Sequence, residues 1–288
     1  MSPLHHDPVF DCFRPIVPRL QEGLLEDSFL GTVFRSTYDV IRVSRGAAAA
    51  FPPPVNEEYF EWIDLLSAVV EARERFTFLE LGAGYGRWSI RAAAAARQRG
   101  IETVTLGCVE AEPTHFEWLR QTLFDNGLDP DAHLLRRAAV SAEPGRVLFS
   151  ASDSGGSSRF APDTWYGQAV LAADTVSGRR SAISLLRRAM GRRLGHANPA
   201  AIPVEALTLP DLLAHFAQVD LIDLDLQGSE LAVLASSLDG LTEKVARIHI
   251  GTHSRRIEAG PCRRFQARGG HAWRITVAAR PPRPRTAP

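Results

Sequence analysis

The chain has 288 residues, 45% of them hydrophobic and 23% charged, enough to bury a large core in one elaborated domain rather than two. Its 33 basic and 33 acidic residues cancel, so no overall field draws it to nucleic acid or anionic lipid. Cys12, Cys108 and Cys262 are odd in number and scattered, with no C-x-x-C pair, which argues against a disulfide framework and a thiolate zinc site. The first residues lack the charged-then-apolar order of a secretion signal, and no apolar run reaches bilayer-spanning length. The expectation is a soluble, reduced, cytoplasmic protein. Lys244 is the sole lysine beside 32 arginines, a skew that reads as GC-rich coding rather than as a basic patch.

Residues 1–55 form an extension rich in proline, phenylalanine and arginine, ending in Phe51 and three prolines that force an extended path. A helix is expected from Asn56, an N-cap residue followed by Glu57 and Glu58. Tyr59, Phe60, Ile63, Leu66 and Val70 recur at helical spacing, and the aromatics, Trp62 included, either pack on a sheet or cover a cleft. Strands are expected at 77–81, 103–109, 133–135 and 146–149. Between them lie a helix at 89–99 stopped by Gly100 and another opened by a Thr114-x-x-Glu117 capping box. Such alternation with short connections predicts an α/β protein of Rossmann-like, doubly wound architecture, a mostly parallel sheet with helices on both faces.

Residues 151–200 break the rhythm. Ser152 to Ser158 is loop chemistry, and 181–194 reads as an amphipathic helix carrying Arg187, Arg188, Arg192 and Arg193. It is either a solvated face or part of a substrate-side insert. Alternation resumes with a helix at 209–216, a strand at 220–226, a helix at 229–238 and a strand at 245–251. Beyond Glu258 the pattern decays: 271–277 can make one strand at most, and the proline-rich end cannot pair in a sheet.

The most informative segment begins at Phe78. An apolar strand runs into Glu80, then into Gly82, Gly84 and Gly86, and an alanine-rich helix follows. Glycines there let the backbone bend sharply and approach a ligand with no Cβ in the way, and the helix start offers unpaired N–H groups beside it. A nicotinamide site would require glycine where Arg87 stands. Three further segments follow in order: VEAEPTHFEWLRQTLFDNGL from Val109, VDLIDLDLQGSELAVL from Val219 and ARIHIGTHS from Ala246. Together with FLELGAGYGRW they resemble the FkbM-type branch of class I S-adenosylmethionine-dependent methyltransferases, over roughly residues 56–258. The resemblance divides the chain into an extension (1–55), a methyltransferase domain (56–258, with the 151–200 insert) and an irregular tail (259–288).

It further implies that S-adenosylmethionine lies across the strand ends, held by the loop Gly82-Ala83-Gly84-Tyr85-Gly86. Glu112 would accept hydrogen bonds from the ribose hydroxyls, with Glu110 as its understudy. Glu80 would favour the methionine ammonium, be a buried acid bonded to backbone N–H groups, or both. The chain departs from the family's usual Lys-x-Asp-x-Glu-Gly-x-Glu, since Asp223 replaces lysine and Gln227 replaces glutamate while Asp225 keeps its place. Asp223 and Asp225 are expected near the strand end, where the cleft or solvent reaches them. Gly251 precedes His253 where the family often has Glu-x-His. His253 and Asp225 are the candidate general bases, His253 titrating nearer neutrality. Asp223, Asp225, His249 and His253 match no metal-binding spacing, and no metal is expected.

The activity implied is O-methylation of a small-molecule, glycan or lipid-linked hydroxyl, with no nucleic-acid partner. The alternative is a catalytically inactive binding or scaffolding protein on the same fold. The class I fold ends in two further strands, so the decayed tail means either a lost sheet edge or out-of-frame translation from about Ala259. An exposed edge would leave a homodimer open.

Overall fold

The computed structural model describes residues 6–38 apart from 18 and 20, 51–150 apart from 56 and 57, 201–251 apart from 227 and 228, and the short strands at 169–170 and 275–277. Two short antiparallel strands, β1 (Leu24–Glu26) and β2 (Val33–Arg35), come first. Helix α1 (Tyr59–Glu71), strand β3 (Arg75–Leu81), helix α2 (Arg87–Gln98), strand β4 (Thr103–Val109), helix α3 (Pro113–Asp125) and strand β5 (Leu134–Arg136) then alternate as expected. Strands β6 (Ala139–Val140), β7 (Gly145–Ser150), β8 (Ala169–Val170) and β9 (Ala201–Leu207) follow. The chain continues through α4 (Leu209–Leu213), β10 (Leu221–Leu224), α5 (Glu230–Ala235), α6 (Leu238–Lys244), β11 (Ile248–Ile250) and β12 (Ile275–Val277).

The main sheet has the order β12-β11-β10-β3-β4-β5, and every pairing in it is parallel. Helices cover both faces, as an all-parallel sheet requires. On one face Phe76, Phe78, Leu106 and Cys108 pack with α1 and α2, where Ala92, Ala93, Ala95 and Ala96 bring the helix backbone close. On the other, Leu79, Leu81, Ile222, Leu224, Ile248 and Ile250 pack with Leu209, Leu212, Val233, Leu234 and Leu241 of α4, α5 and α6. The period-2 alternation of strand side chains makes this division. Phe10, Phe13, Phe29 and Leu30 of the extension belong to the α1–α2 core, so the extension is tied to the sheet by burial.

Several elements differ from expectation, each for a local reason. Helix α3 starts at Pro113, and Glu112 is its N-cap, accepting from the His115 N–H at 2.6 Å. The Thr114–Glu117 box is not used, because proline at the first helical position already sets the turn. The helix expected over 229–238 stops at Ala235, where the Ser236 and Ser237 hydroxyls both bond back to the Val233 carbonyl, and a further helix, α6, follows over Leu238–Lys244. Such back-bonding by serine weakens a helix interior. Strand β9 was unforeseen because Pro203 sits inside it; the strand pairs antiparallel with β7 and parallel with β6. Its Val204 and Ala206 close a small core with Val147, Phe149, Ala111 and Ala139. After β11 the described residues contain one strand, β12, pairing parallel at the edge. The rest of the tail, His253, Gln227 and nearly all of the 151–200 insert lie outside the described residues. Among the described residues no helix is long and apolar enough to cross a membrane.

Candidate active site

The strand order reverses direction between β3 and β10. From β3 the chain moves outward through β4 and β5; from β10 it moves the other way through β11 and β12. A crevice opens at such a switch point, at the carboxyl ends of the strands. Leu81 pairs with Val109 on one side and Leu224 on the other, so the segments starting at Gly82, Glu110 and Asp225 leave the sheet side by side.

The glycine loop is held by its own neighbours. The N–H groups of Gly82 and Ala83 donate to the Val109 carbonyl, both at 3.0 Å, and the Gly86 N–H donates to the Ala83 carbonyl at 2.7 Å. Gly84 donates to Glu110 Oε2 at 2.7 Å, while Glu110 Oε1 accepts from the Glu112 N–H at 2.7 Å. Glu110 is therefore a buckle between the loop and the β4 end, with both oxygens engaged. Burial pushes its carboxyl up to about 7, opposed by the Glu112 and Gly84 N–H groups. A Cβ on Gly82 would lie 2.1 Å from the Asp225 carbonyl oxygen, whereas one on Gly84 would meet none of the described residues within 4 Å. Gly82 is thus required by the close approach of β10, and Gly84 leaves space at the mouth of the crevice.

Glu80 is 4% exposed. Its Oε2 accepts from the Ser89 N–H at 2.9 Å and from the Ser89 hydroxyl. The helix-start N–H groups expected to face a ligand are in this respect taken from behind, by an acid of the preceding strand. A buried carboxylate needs such donors more than a ligand at the rim does. Burial, and secondarily the charge of Asp223, push the Glu80 carboxyl up to about 8 against the Ser89 bonds.

The other expected residues fall as follows. Glu112 is buried at the head of α3, beside the loop that Glu110 ties down. The Tyr85 ring packs against Phe34 and Tyr38 of the extension, so the part of Tyr85 at the crevice is its backbone. Gly86 is the residue before α2, and a Cβ there would strike Leu119 of α3 at 2.4 Å. Asp225 follows β10, its N–H bonded to the Leu81 carbonyl at 3.0 Å and its carboxyl group 3.4 Å from where a Cβ of Gly251 would stand. A larger residue at 251 would press on that carboxyl.

Asp223 is not near solvent. It is 4% exposed within β10, in register with Glu80 on one side and His249 on the other. The three line one row across three strands, under α1 and α2. Spacing along the chain could not show this row, because register across strands assembles it. Sequence reasoning also missed a buried ion cluster behind the loop. Asp27 of the extension bonds Arg87 at 2.7 Å and Arg91 at 3.0 Å, and Glu58 bonds Arg87 at 2.6 Å. Burial raises the Asp27 carboxyl, yet the two arginines more than offset it and hold it below its usual range. The Arg91 guanidinium lies 4.5 and 4.4 Å from the ring centres of Trp62 and Trp88, which meet each other edge to face, a contact in which desolvated cations and aromatic faces attract.

A parallel, doubly wound sheet with a glycine loop at its switch point and acids on the flanking strand ends is the Rossmann-like architecture that class I methyltransferases share. The Methyltransferase FkbM domain family matches residues 80–266, and the chain belongs to that family. A protein of Jannaschia sp. (strain CCS1), named provisionally as a methyltransferase, is 31% identical over 237 residues, 80% of this chain and 76% of that relative. Among solved structures, the methyltransferase FkbM of Methylobacillus flagellatus KT is similar at 12% identity and a TM-score of 0.34, over 60% of this chain. The chain spans 32% of that protein's length. A SAM-dependent methyltransferase of Agrobacterium tumefaciens is similar at 22% identity and a TM-score of 0.26, over 42% of this chain and 34% of its own.

Proposed function

We propose that this methyltransferase uses S-adenosylmethionine and methylates a hydroxyl of a small molecule, glycan or lipid-linked acceptor. The observation that carries the reading is the alignment of three strand ends at the switch point, with open space beside Gly84. The residues present suit the donor. The Gly82–Gly86 loop, with Ala83 and the Tyr85 backbone, offers a close-approach surface for the methionine and ribose. Glu112, at the end of the second strand, suits a ribose diol. Glu80, two residues before the loop, is a carboxyl of raised affinity for protons whose charged form an ammonium would favour. When bound, S-adenosylmethionine supplies an electrophilic methyl group on a sulfonium centre.

The protein's own part is to align the acceptor oxygen with that methyl and to take the hydroxyl proton. Alignment can supply much of the acceleration of a displacement, and proton removal needs a base within hydrogen-bond reach. Asp225 at the end of β10 and His253, two residues past Gly251, are assigned that role. Calorimetry with S-adenosylmethionine and S-adenosylhomocysteine, followed by turnover on a panel of hydroxyl and amine acceptors, tests the reading. Binding of neither nucleoside sinks it. Binding without turnover on any acceptor favours the inactive binding protein, and turnover on amines alone replaces oxygen by nitrogen as the site methylated.

A further inference from the structure

The buried polar row beneath the crevice contains a group that methyl transfer does not use. Glu61 projects from α1, Asp223 from β10 and His249 from β11. One ligand atom from each lies within 4.8 Å of the others. Asp223 and His249 are 4% and 2% exposed, and among the described residues Asp223 Oδ1 has no hydrogen-bond partner. We propose that Glu61, Asp223 and His249 bind a divalent transition-metal cation of the Zn2+ or Mn2+ kind, pinning α1 to the sheet below the donor crevice.

Four observations converge. The donor set of one imidazole nitrogen and two carboxylates suits a borderline divalent ion. The surroundings orient it: His249 Nδ1 lies 2.9 Å from Asp64 Oδ2. A carboxylate only accepts, so Nδ1 carries the proton and Nε2 is left with a lone pair for a metal. A carboxylate behind a ligating histidine both fixes the ring and raises its basicity. Asp64 is in turn held by Arg247, at 3.4 Å from Oδ1, and Arg247 also reaches Glu71 at 2.8 Å. The nearby arginine is thereby committed to Asp64 and Glu71.

Charge makes the same demand. Two carboxylates meeting under a helix repel strongly unless a cation or a shared proton neutralises them. The unpartnered Asp223 Oδ1 shows that sharing a proton with Glu61 leaves one buried acceptor unused, and a cation would satisfy it. Along the chain the three ligands are too far apart for any spacing motif, since a helix and two strands bring them together.

The test uses the full chain, stripped with a chelator and titrated with Co2+ and with Zn2+ against a chromophoric competitor. The inference expects one equivalent of each, visible Co2+ ligand-field bands, and a rise in melting temperature on metal addition. Asp223→Asn and His249→Gln each lose the bands and weaken Zn2+ affinity at least a hundredfold. Removal of the exposed histidine by His215→Gln leaves both unchanged. Should a variant fail to fold, the wild-type titration still decides: no bands and no melting shift overturn the inference. So does one equivalent that survives in the double variant Asp223→Asn/His249→Gln. Because none of these readouts involves methyl transfer or the nucleoside donor, failure here leaves the proposed function standing, and the converse holds.

Discussion

Alanine at Gly84 and alanine at Gly82 separate a ligand site from a structural requirement. Both residues have positive φ, +53 and +89°, so either alanine meets the left-handed penalty of about 1–2 kcal/mol. At Gly84 no further cost arises among the described residues, because a Cβ there meets none of their atoms within 4 Å. At Gly82 the Cβ would stand 2.1 Å from the Asp225 carbonyl oxygen. That oxygen is backbone and cannot rotate aside. The loop or β10 must shift, loosening the bond from the Asp225 N–H to the Leu81 carbonyl, worth about 1 kcal/mol. Repacking around the shift adds about 1–3 kcal/mol. Gly82→Ala should therefore cost about 3–6 kcal/mol, a large part of a typical domain stability of about 5–15 kcal/mol. Gly84→Ala should cost about 1–2 kcal/mol yet fill the space assigned to the donor. Urea unfolding followed by tryptophan fluorescence measures the first quantity and calorimetry with S-adenosylhomocysteine the second. We expect Gly84→Ala to fold and to bind at least about tenfold more weakly, a loss of about 1.4 kcal/mol. Wild-type affinity in folded Gly84→Ala, or equal destabilisation by the two alanines, would refute the reasoning.

Three further outcomes follow from the geometry. Glu112→Gln keeps an oxygen for the His115 N–H and so should change stability by less than about 1 kcal/mol, while calorimetry shows weakened nucleoside binding; unchanged affinity would remove Glu112 from the ribose. Asp27→Ala leaves Arg91, whose side chain is 1% exposed, with Glu58 as its remaining acid among the described residues, at 3.5 Å; a buried pair broken on one side costs about 3–5 kcal/mol, and a loss under about 1 kcal/mol in chemical unfolding would contradict the cluster's assigned weight. Burial lowers His115 from 6.5 to about 4, so its unfolded form binds the proton more readily and stability falls as pH drops from about 6.5 through 4. The effect approaches about 3 kcal/mol, and in His115→Leu the difference between unfolding at pH 7 and pH 4 should shrink by that order.

The parts of this molecule encoded locally were readable from the chain. Gly82, Gly84 and Gly86 after an apolar run, and the alternation of short strands with capped helices, predict the turn and the parallel sheet because each signal lies within a few residues. Strand β9 was hidden by Pro203, which disqualifies a strand on local grounds but is exposed in this one, where Val204 and Ala206 supply the buried face. The row Glu80–Asp223–His249 was illegible because no pair of its members is near in sequence; β-sheet register alone puts them abreast. The same holds for Asp27 and Arg91, joined by burial of the extension against α2. Glu61 and Asp64, three apart on a helix among buried apolar neighbours, were the one local hint that α1 carries polar business inward. Glu112 shows the limit of assigning one role per residue, since the acid suited to a ribose is also the cap of α3.

The most direct measurement is a crystal structure with S-adenosylhomocysteine bound. The account predicts the nucleoside lying across the ends of β3, β4 and β10, its ribose diol on Glu112, its homocysteine against the Gly82–Gly86 loop, and its sulfur facing Asp225. Adenosine seated elsewhere on the protein, with the space beside Gly84 still vacant, would contradict it.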